Sequence, residues 1–215
     1  MSFSSEEEVD CSCGETFPAR LWNSVNLKED PDLRSMLLGG SLNVVACPIC
    51  SGLVYAERFV LIHDPLNELL MFVHPKARSE ERQFLESAMA RDAAEAQNVE
   101  GGLKIPYPPV LVFGLDEAVD MIRAEEESTV QASVLAAFAP RINLSVVRLS
   151  PARARAAGLL RVTPLYGPGT ADERLKAGLK SALCANDRLT VYSDLLKKVE
   201  SEGLSAEARS ALEPR

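Results

Sequence analysis

Aromatic residues make up only 6% of this 215-residue chain, with one tryptophan, and histidine occurs only twice. No apolar run approaches the roughly 20 residues that span a bilayer, so no membrane segment is expected. The opening Met-Ser-Phe-Ser-Ser-Glu-Glu-Glu holds neither a basic region nor an apolar stretch of the kind a secretory leader needs. A soluble, cytoplasmic protein is expected. Five cysteines in a chain of this length are too few for a disulfide scaffold. No Walker or dinucleotide-binding pattern, internal repeat or low-complexity tract is present. What remains is a 47% hydrophobic sequence, long enough for one large or two small domains.

Four of the five cysteines fall in two tight groups, Cys11-Ser-Cys13-Gly14 and Cys47-Pro-Ile-Cys50. Thiolate is the softest ligand that side chains offer, and two short turns with two sulfurs each make a tetrahedral four-sulfur site. Pro48 presets φ in the second turn, and Gly14 and Gly52 stand where the chain is expected to need positive φ. The first pair is Cys-x-Cys, tighter than the usual Cys-x-x-Cys, so one turn must be irregular. Cys11, Cys13, Cys47 and Cys50 are therefore expected to hold one structural zinc per chain.

Charge divides the chain. Residues 1–140 carry 10 Lys and Arg against 23 Asp and Glu, a net −13, and residues 141–215 carry 13 against 8, a net +5. Arg141, Arg148, Arg153, Arg155 and Arg161 fall in a stretch without an acid. Such asymmetry predicts an interaction surface, either between the two halves or between copies. Nucleic acid is the less favoured partner, because aromatics for base stacking are scarce there. Glu125-Glu126-Glu127 is expected to be a solvated helix end.

Residues 1–10 read as a disordered acidic lead. Strands are expected at 17–26, 42–46, 59–63, 69–73 and 110–113, the third and fourth forming a central hairpin in which His63 pairs near Leu70. Helices are expected at 32–38 behind Asp30 and Pro31, and at 80–97 behind Ser79, ending at Gly101-Gly102 with Phe84, Leu85, Ala88, Met89 and Ala96 inward. Further helices are expected at 115–126, at 130–138, and between Ser150-Pro151 and Gly158. Another opens on the capping box Thr170–Glu173 with Cys184 as a core residue, and more lie at 194–202 and after Ser205.

The residues Cys11 to Gly14, Phe17, Trp22-Asn-Ser-Val-Asn26, Asp30-Pro31, Leu42-Asn43, Cys47 to Cys50 and His63-Asp64-Pro65 resemble the CpXC family, a bacterial and archaeal zinc-ribbon-like domain of unassigned activity. The resemblance is densest over 11–65 and extends to about 127. Two departures stand out. The first pair is Cys-x-Cys rather than Cys-Pro-x-Cys, and Ser51 intervenes before Gly52. The resemblance implies a metal-stapled module and supplies no reaction.

The expected fold is α+β: a zinc-ribbon-like domain over 11–127 with antiparallel hairpins and flanking helices, then a smaller mixed or helical domain over 128–215. The expected function is a non-enzymatic protein-interaction or regulatory module, self-association included. One rival reading is nucleic-acid binding through the arginine-rich 141–171 stretch. Another is a hydrolase or transferase using His63 and Asp64, which lacks an identifiable nucleophile. Trp22, His63, Arg148, Arg153 and Arg155 are the candidate binding residues.

Overall fold

The computed structural model describes residues 2–98 and 105–213. The chain divides into two compact units at Ile122 and Arg123.

The first unit is built on a five-stranded sheet. Strand β1 (Phe3–Asp10) pairs antiparallel with β2 (Thr16–Asn26) from Ser4↔Trp22 to Asp10↔Thr16. The acidic lead expected to be disordered is therefore an ordered strand. Its composition misleads because β2 supplies the backbone partners that the side chains do not reveal. Val9 is buried, Glu6 and Glu8 stay in solvent, and Glu7 pairs with Arg58 at 2.5 Å. Helix α1 (Pro31–Leu38) follows, with Pro31 at its first position. Strands β3 (Val44–Ala46) and β4 (Leu53–Tyr55) form a separate two-stranded ribbon.

Strands β5 (Val60–Asp64) and β6 (Leu69–His74) are the expected central hairpin, with His63 opposite Leu70. The sheet runs β1-β2-β5-β6-β7, with β7 at Val110–Phe113. Its β2–β5 and β6–β7 pairings are parallel, so the sheet is mixed rather than antiparallel throughout. Helix α2 (Arg82–Asn98) is preceded by a 3-10 turn at Lys76–Glu81, and α3 spans Leu115–Phe138.

Ile62, Met71, Val73 and Val112 meet Leu33 and Leu37 of α1 and Ala118 and Ile122 of α3. Phe72, Leu111 and Phe113 meet Leu85 and Met89 of α2. Of the apolar residues expected inward on α2, Leu85 alone is fully buried, and Phe84 and Ala96 face solvent. The expected stop at Gly101-Gly102 lies outside the described residues.

Helix α3 runs unbroken where two helices were expected. Neither glycine nor proline interrupts 115–138. The Thr129 and Ser133 hydroxyls donate back to the carbonyls of Glu125 and Thr129, so inside the helix these side chains satisfy themselves on its own backbone. The expected division at 127/128 thus falls inside one helix.

The second unit is smaller and mostly helical. Strands β8 (Ser145–Arg148) and β9 (Val162–Leu165) form an antiparallel ribbon. Helices α4 (Pro151–Ala157), α5 (Ala171–Ala185), α6 (Thr190–Glu202) and α7 (Ala206–Leu212) complete it. The predicted caps form: Ser150 accepts from Arg153 N–H, Thr170 and Glu173 close a capping box, and Ser205 accepts from Ala208 N–H. Leu135, Leu175, Leu179, Tyr192 and Val199 make the core, and the Tyr192 hydroxyl donates to the Val162 carbonyl at 2.8 Å. Gly178 lets α5 approach β9: a Cβ there would lie 2.4 Å from the Pro164 carbonyl oxygen. Cys184, expected in this core, is exposed. At the penultimate position of the helix, it lies off the buried stripe of Leu175, Leu179 and Ala182.

Candidate metal centre

The two cysteine pairs sit in the turns of two hairpins. Cys11 and Cys13 lie between β1 and β2, where Cys11 N–H donates to the Glu15 carbonyl at 2.8 Å and Gly14 N–H to the Cys11 carbonyl at 2.9 Å. Gly14 takes φ +94°. Cys47 and Cys50 lie between β3 and β4. There Ser51 N–H returns to the Cys47 carbonyl and Cys47 N–H to the Gly52 carbonyl, each at 2.9 Å.

The positive φ expected at Gly52 belongs instead to Ser51, at +59°. Gly52 is needed for a different reason. A Cβ there would lie 3.2 Å from the Cys50 sulfur, which also accepts from Gly52 N–H.

These turns bring four sulfurs together. Cys11 Sγ lies 3.6 Å from Cys50 Sγ, and Cys13 Sγ lies 3.7 Å from Cys47 Sγ. All four are within 4.8 Å of one another. A tetrahedron with metal–sulfur bonds of about 2.3 Å has edges of about 3.8 Å. The 3.6 and 3.7 Å separations match such edges and are far too long for disulfides, whose sulfurs lie about 2.05 Å apart. Cys11 and Cys47 are buried on Val9, Phe17 and Leu21, while Cys13 and Cys50 reach the surface.

Protonation reflects the crowding. The Cys13 backbone N–H brings the Cys11 thiol down to about 7. The Glu15 N–H favours a thiolate at Cys13, but the neighbouring sulfurs and burial push that thiol up to about 12. At Cys50 the Gly52 N–H also favours the thiolate, and hydrogen bonding with the Cys11 sulfur leads the opposing influences that raise it. Four adjacent sulfurs cannot all hold negative charge unless a cation sits among them. The centre is therefore positioned to chelate a soft metal, and a closed four-sulfur set suits a structural, non-catalytic role.

The other candidates are not gathered around it. Trp22 is half-buried on β2, with the Arg20 guanidinium 5.3 Å from its ring centroid. Arg20 and Trp22 line a shallow cleft of about 280 Å³ with Phe3, Glu29 and Asp30. His63 Nε2 is 2.7 Å from the Tyr107 hydroxyl, and burial holds its pKa below the usual imidazole range. Asp64 is buried and accepts from Leu66 N–H, Asn67 N–H and the Asn67 side-chain amide, closing the β5–β6 turn. Successive strand residues face opposite sides, so His63 and Asp64 form no dyad.

The arginines are likewise dispersed. Arg148 is exposed on β8 and Arg153 half-buried on α4. Arg155 and Arg161 converge on Glu125 at 2.6 and 2.5 Å. Glu125, expected in solvent, is buried. The signal was its place on the inward stripe of Ala118, Ile122 and Ala132, which the acidic run obscured. At the Gly167–Gly169 loop the helix N-terminus is occupied by the chain's own Glu173 carboxylate, which accepts from Thr170 N–H at 2.9 Å.

A family model described as CpXC protein matches residues 9–134, which include both cysteine turns. No curated protein and no solved structure matches the chain.

Proposed function

The chain belongs to the CpXC family, and from that premise we propose that it is a zinc-stapled, non-enzymatic module that engages other proteins, a second copy of itself among the candidates. Cys11, Cys13, Cys47 and Cys50 would hold one zinc. The observation that carries this reading is the mutual approach of four sulfurs, all within 4.8 Å, from two separate turns. A catalytic zinc keeps one position open for water or substrate, and four thiolates fill every position. Zinc in such a cage would act mainly on the small cluster of Val9, Phe17 and Leu21, against which Cys11 and Cys47 are buried. Reduced thiols persist in the cytoplasm, the compartment this reading requires.

Native mass spectrometry of the full chain, purified gently from its own host, tests both parts. One zinc per chain with a retained protein partner or a dimer is the expected result. A metal-free monomer overturns the reading.

A further inference from the structure

The ribbon β3–β4 has two different faces. Val45 and Val54, opposite each other in register, turn toward Phe17 and Leu21 and carry the second cysteine turn onto the first unit's smaller core. Ala46 and Leu53 pair on the other face, as do Val44 and Tyr55. That outer face is apolar and exposed: Leu53 is 76% and Tyr55 46% accessible. Ile49, in the turn between Cys47 and Cys50, is 69% accessible. A leucine and a tyrosine on one face of the ribbon, with an isoleucine in its turn, give this hairpin an exposed apolar surface of the kind that marks interaction sites.

The charge around the patch selects what covers it. Residues 1–58, which supply both cysteine turns and the ribbon, contain nine acids against four lysines and arginines. Arg58 is engaged by Glu7 at 2.5 Å, and Arg20 lies opposite Glu6 in the β1–β2 register. Burial, and then the nearby Glu57 and Asp116, oppose ionisation of the Tyr55 phenol, while Asp116 itself pairs with Lys76 Nζ at 2.7 Å. Two metal charges against four thiolates leave a loaded centre with about two net negative charges. Phosphate backbones are repelled by such a surface, and acidic proteins with them.

We propose that the Ile49–Leu53–Tyr55 face docks a protein segment that presents aliphatic or aromatic side chains flanked by lysine or arginine. The apolar groups cover the ribbon while the flanking cations meet the anionic cysteine turns and Glu57. This rests on the interaction-module reading and names its surface and its partner's chemistry.

The test uses the full zinc-loaded chain as bait for a phage-displayed library of random peptides. Selected peptides are then synthesised with a fluorophore and their affinity read by anisotropy. The expected binders combine apolar and basic residues, weaken as salt rises, and lose about tenfold or more on Leu53→Ser. Tyr55→Ser provides an independent second variant, and native mass spectrometry confirms that each variant retains its metal. Binders that are acidic or uncharged overturn the proposal. Binders indifferent to both substitutions place the contact elsewhere, which overturns this surface and leaves the interaction reading standing. A wild-type dimer that Leu53→Ser separates makes a second copy the occupant, and an oligonucleotide that shifts the Ile49 and Leu53 methyl resonances makes it nucleic acid. Either result overturns the proposal. A selection without binders, from a chain that is also a monomer without partners, overturns the proposal and the broader reading together.

Discussion

The Asn43 side chain grips Trp22 by both of its backbone groups. Its Oδ1 accepts from Trp22 N–H at 2.7 Å and its Nδ2–H donates to the Trp22 carbonyl at 3.0 Å. Asn43 is buried and adopts φ +59°, the left-handed region that asparagine tolerates better than most residues. Strand β5 pairs with β2 only from Ser24 onward, and Asn43 serves Trp22 as a neighbouring peptide would. The segment entering the ribbon β3–β4 is thereby tied to the main sheet.

Asn43→Ala is expected to destabilise the chain by about 2–4 kcal/mol, since two backbone groups lose their partner and alanine resists positive φ. Asn43→Asp keeps the acceptor for Trp22 N–H and should lose less. Urea unfolding of the three proteins checks the order, and equal stability of wild type and Asn43→Ala would show the clamp to be unimportant.

At the second cysteine turn, Ser51→Gly is expected to raise stability by about 1 kcal/mol, because glycine adopts φ near +59° without the penalty that serine's Cβ incurs. Metal content should not change. Gly52→Ala should weaken metal retention, since its Cβ crowds the Cys50 sulfur at 3.2 Å. Competition with a chromogenic chelator reads both. The prediction fails if Ser51→Gly loses metal faster than wild type.

Stripping the metal with a strong chelator should act locally. Val9, Phe17 and Leu21 form a cluster of their own with Cys11 and Cys47, distinct from the core around Ile62 and Met71. Amide exchange is expected to accelerate at Val9, Phe17, Leu21, Val45 and Val54 and to stay slow at Ile62, Met71 and Val112. Uniform loss of protection would mean that the two clusters unfold together.

Mild acid should weaken the first unit through its histidines. Burial is the leading cause that lowers the pKa of both His63 and His74. The unfolded chain therefore takes up protons near pH 6.5 while the folded chain still resists them. This contribution is complete above about pH 6.5 and is lost as pH falls toward the folded-state values. Urea midpoints followed from pH 7.5 downward, an illustrative range of about two units, should drop more steeply for wild type than for His63→Gln. Parallel slopes would remove His63 from the account.

Much of this structure was legible because local rules governed it. Proline 31 at a helix start, the serine caps at 150 and 205, the capping box at 170–173 and the two cysteine turns each specify a conformation within a few residues. Non-local decisions were not legible. Whether Glu6, Glu7 and Glu8 form a coil or an edge strand depends on β2, which begins six residues beyond β1. Glu125 reads as surface until Arg155 and Arg161 arrive from α4 and the start of β9 to meet it. Asn43 reads as a strand residue in the sequence, and its role depends on Trp22, 21 residues earlier. In all three of these cases a polar group's role is set by a partner outside its own element.

All four cysteines precede β5 in the chain, whereas the sheet is completed only by Val110–Phe113. During synthesis the donor set can therefore be whole while the hairpin β5–β6 has yet to leave the ribosome. Metal capture at that moment would close the turns of β1–β2 and β3–β4 into a nucleus, with β2 held ready as the edge on which Val60–Asp64 adds in parallel. On the zinc-stapled reading, the order of ligands along the chain would make metal supply a matter of timing during translation, as well as of affinity afterwards.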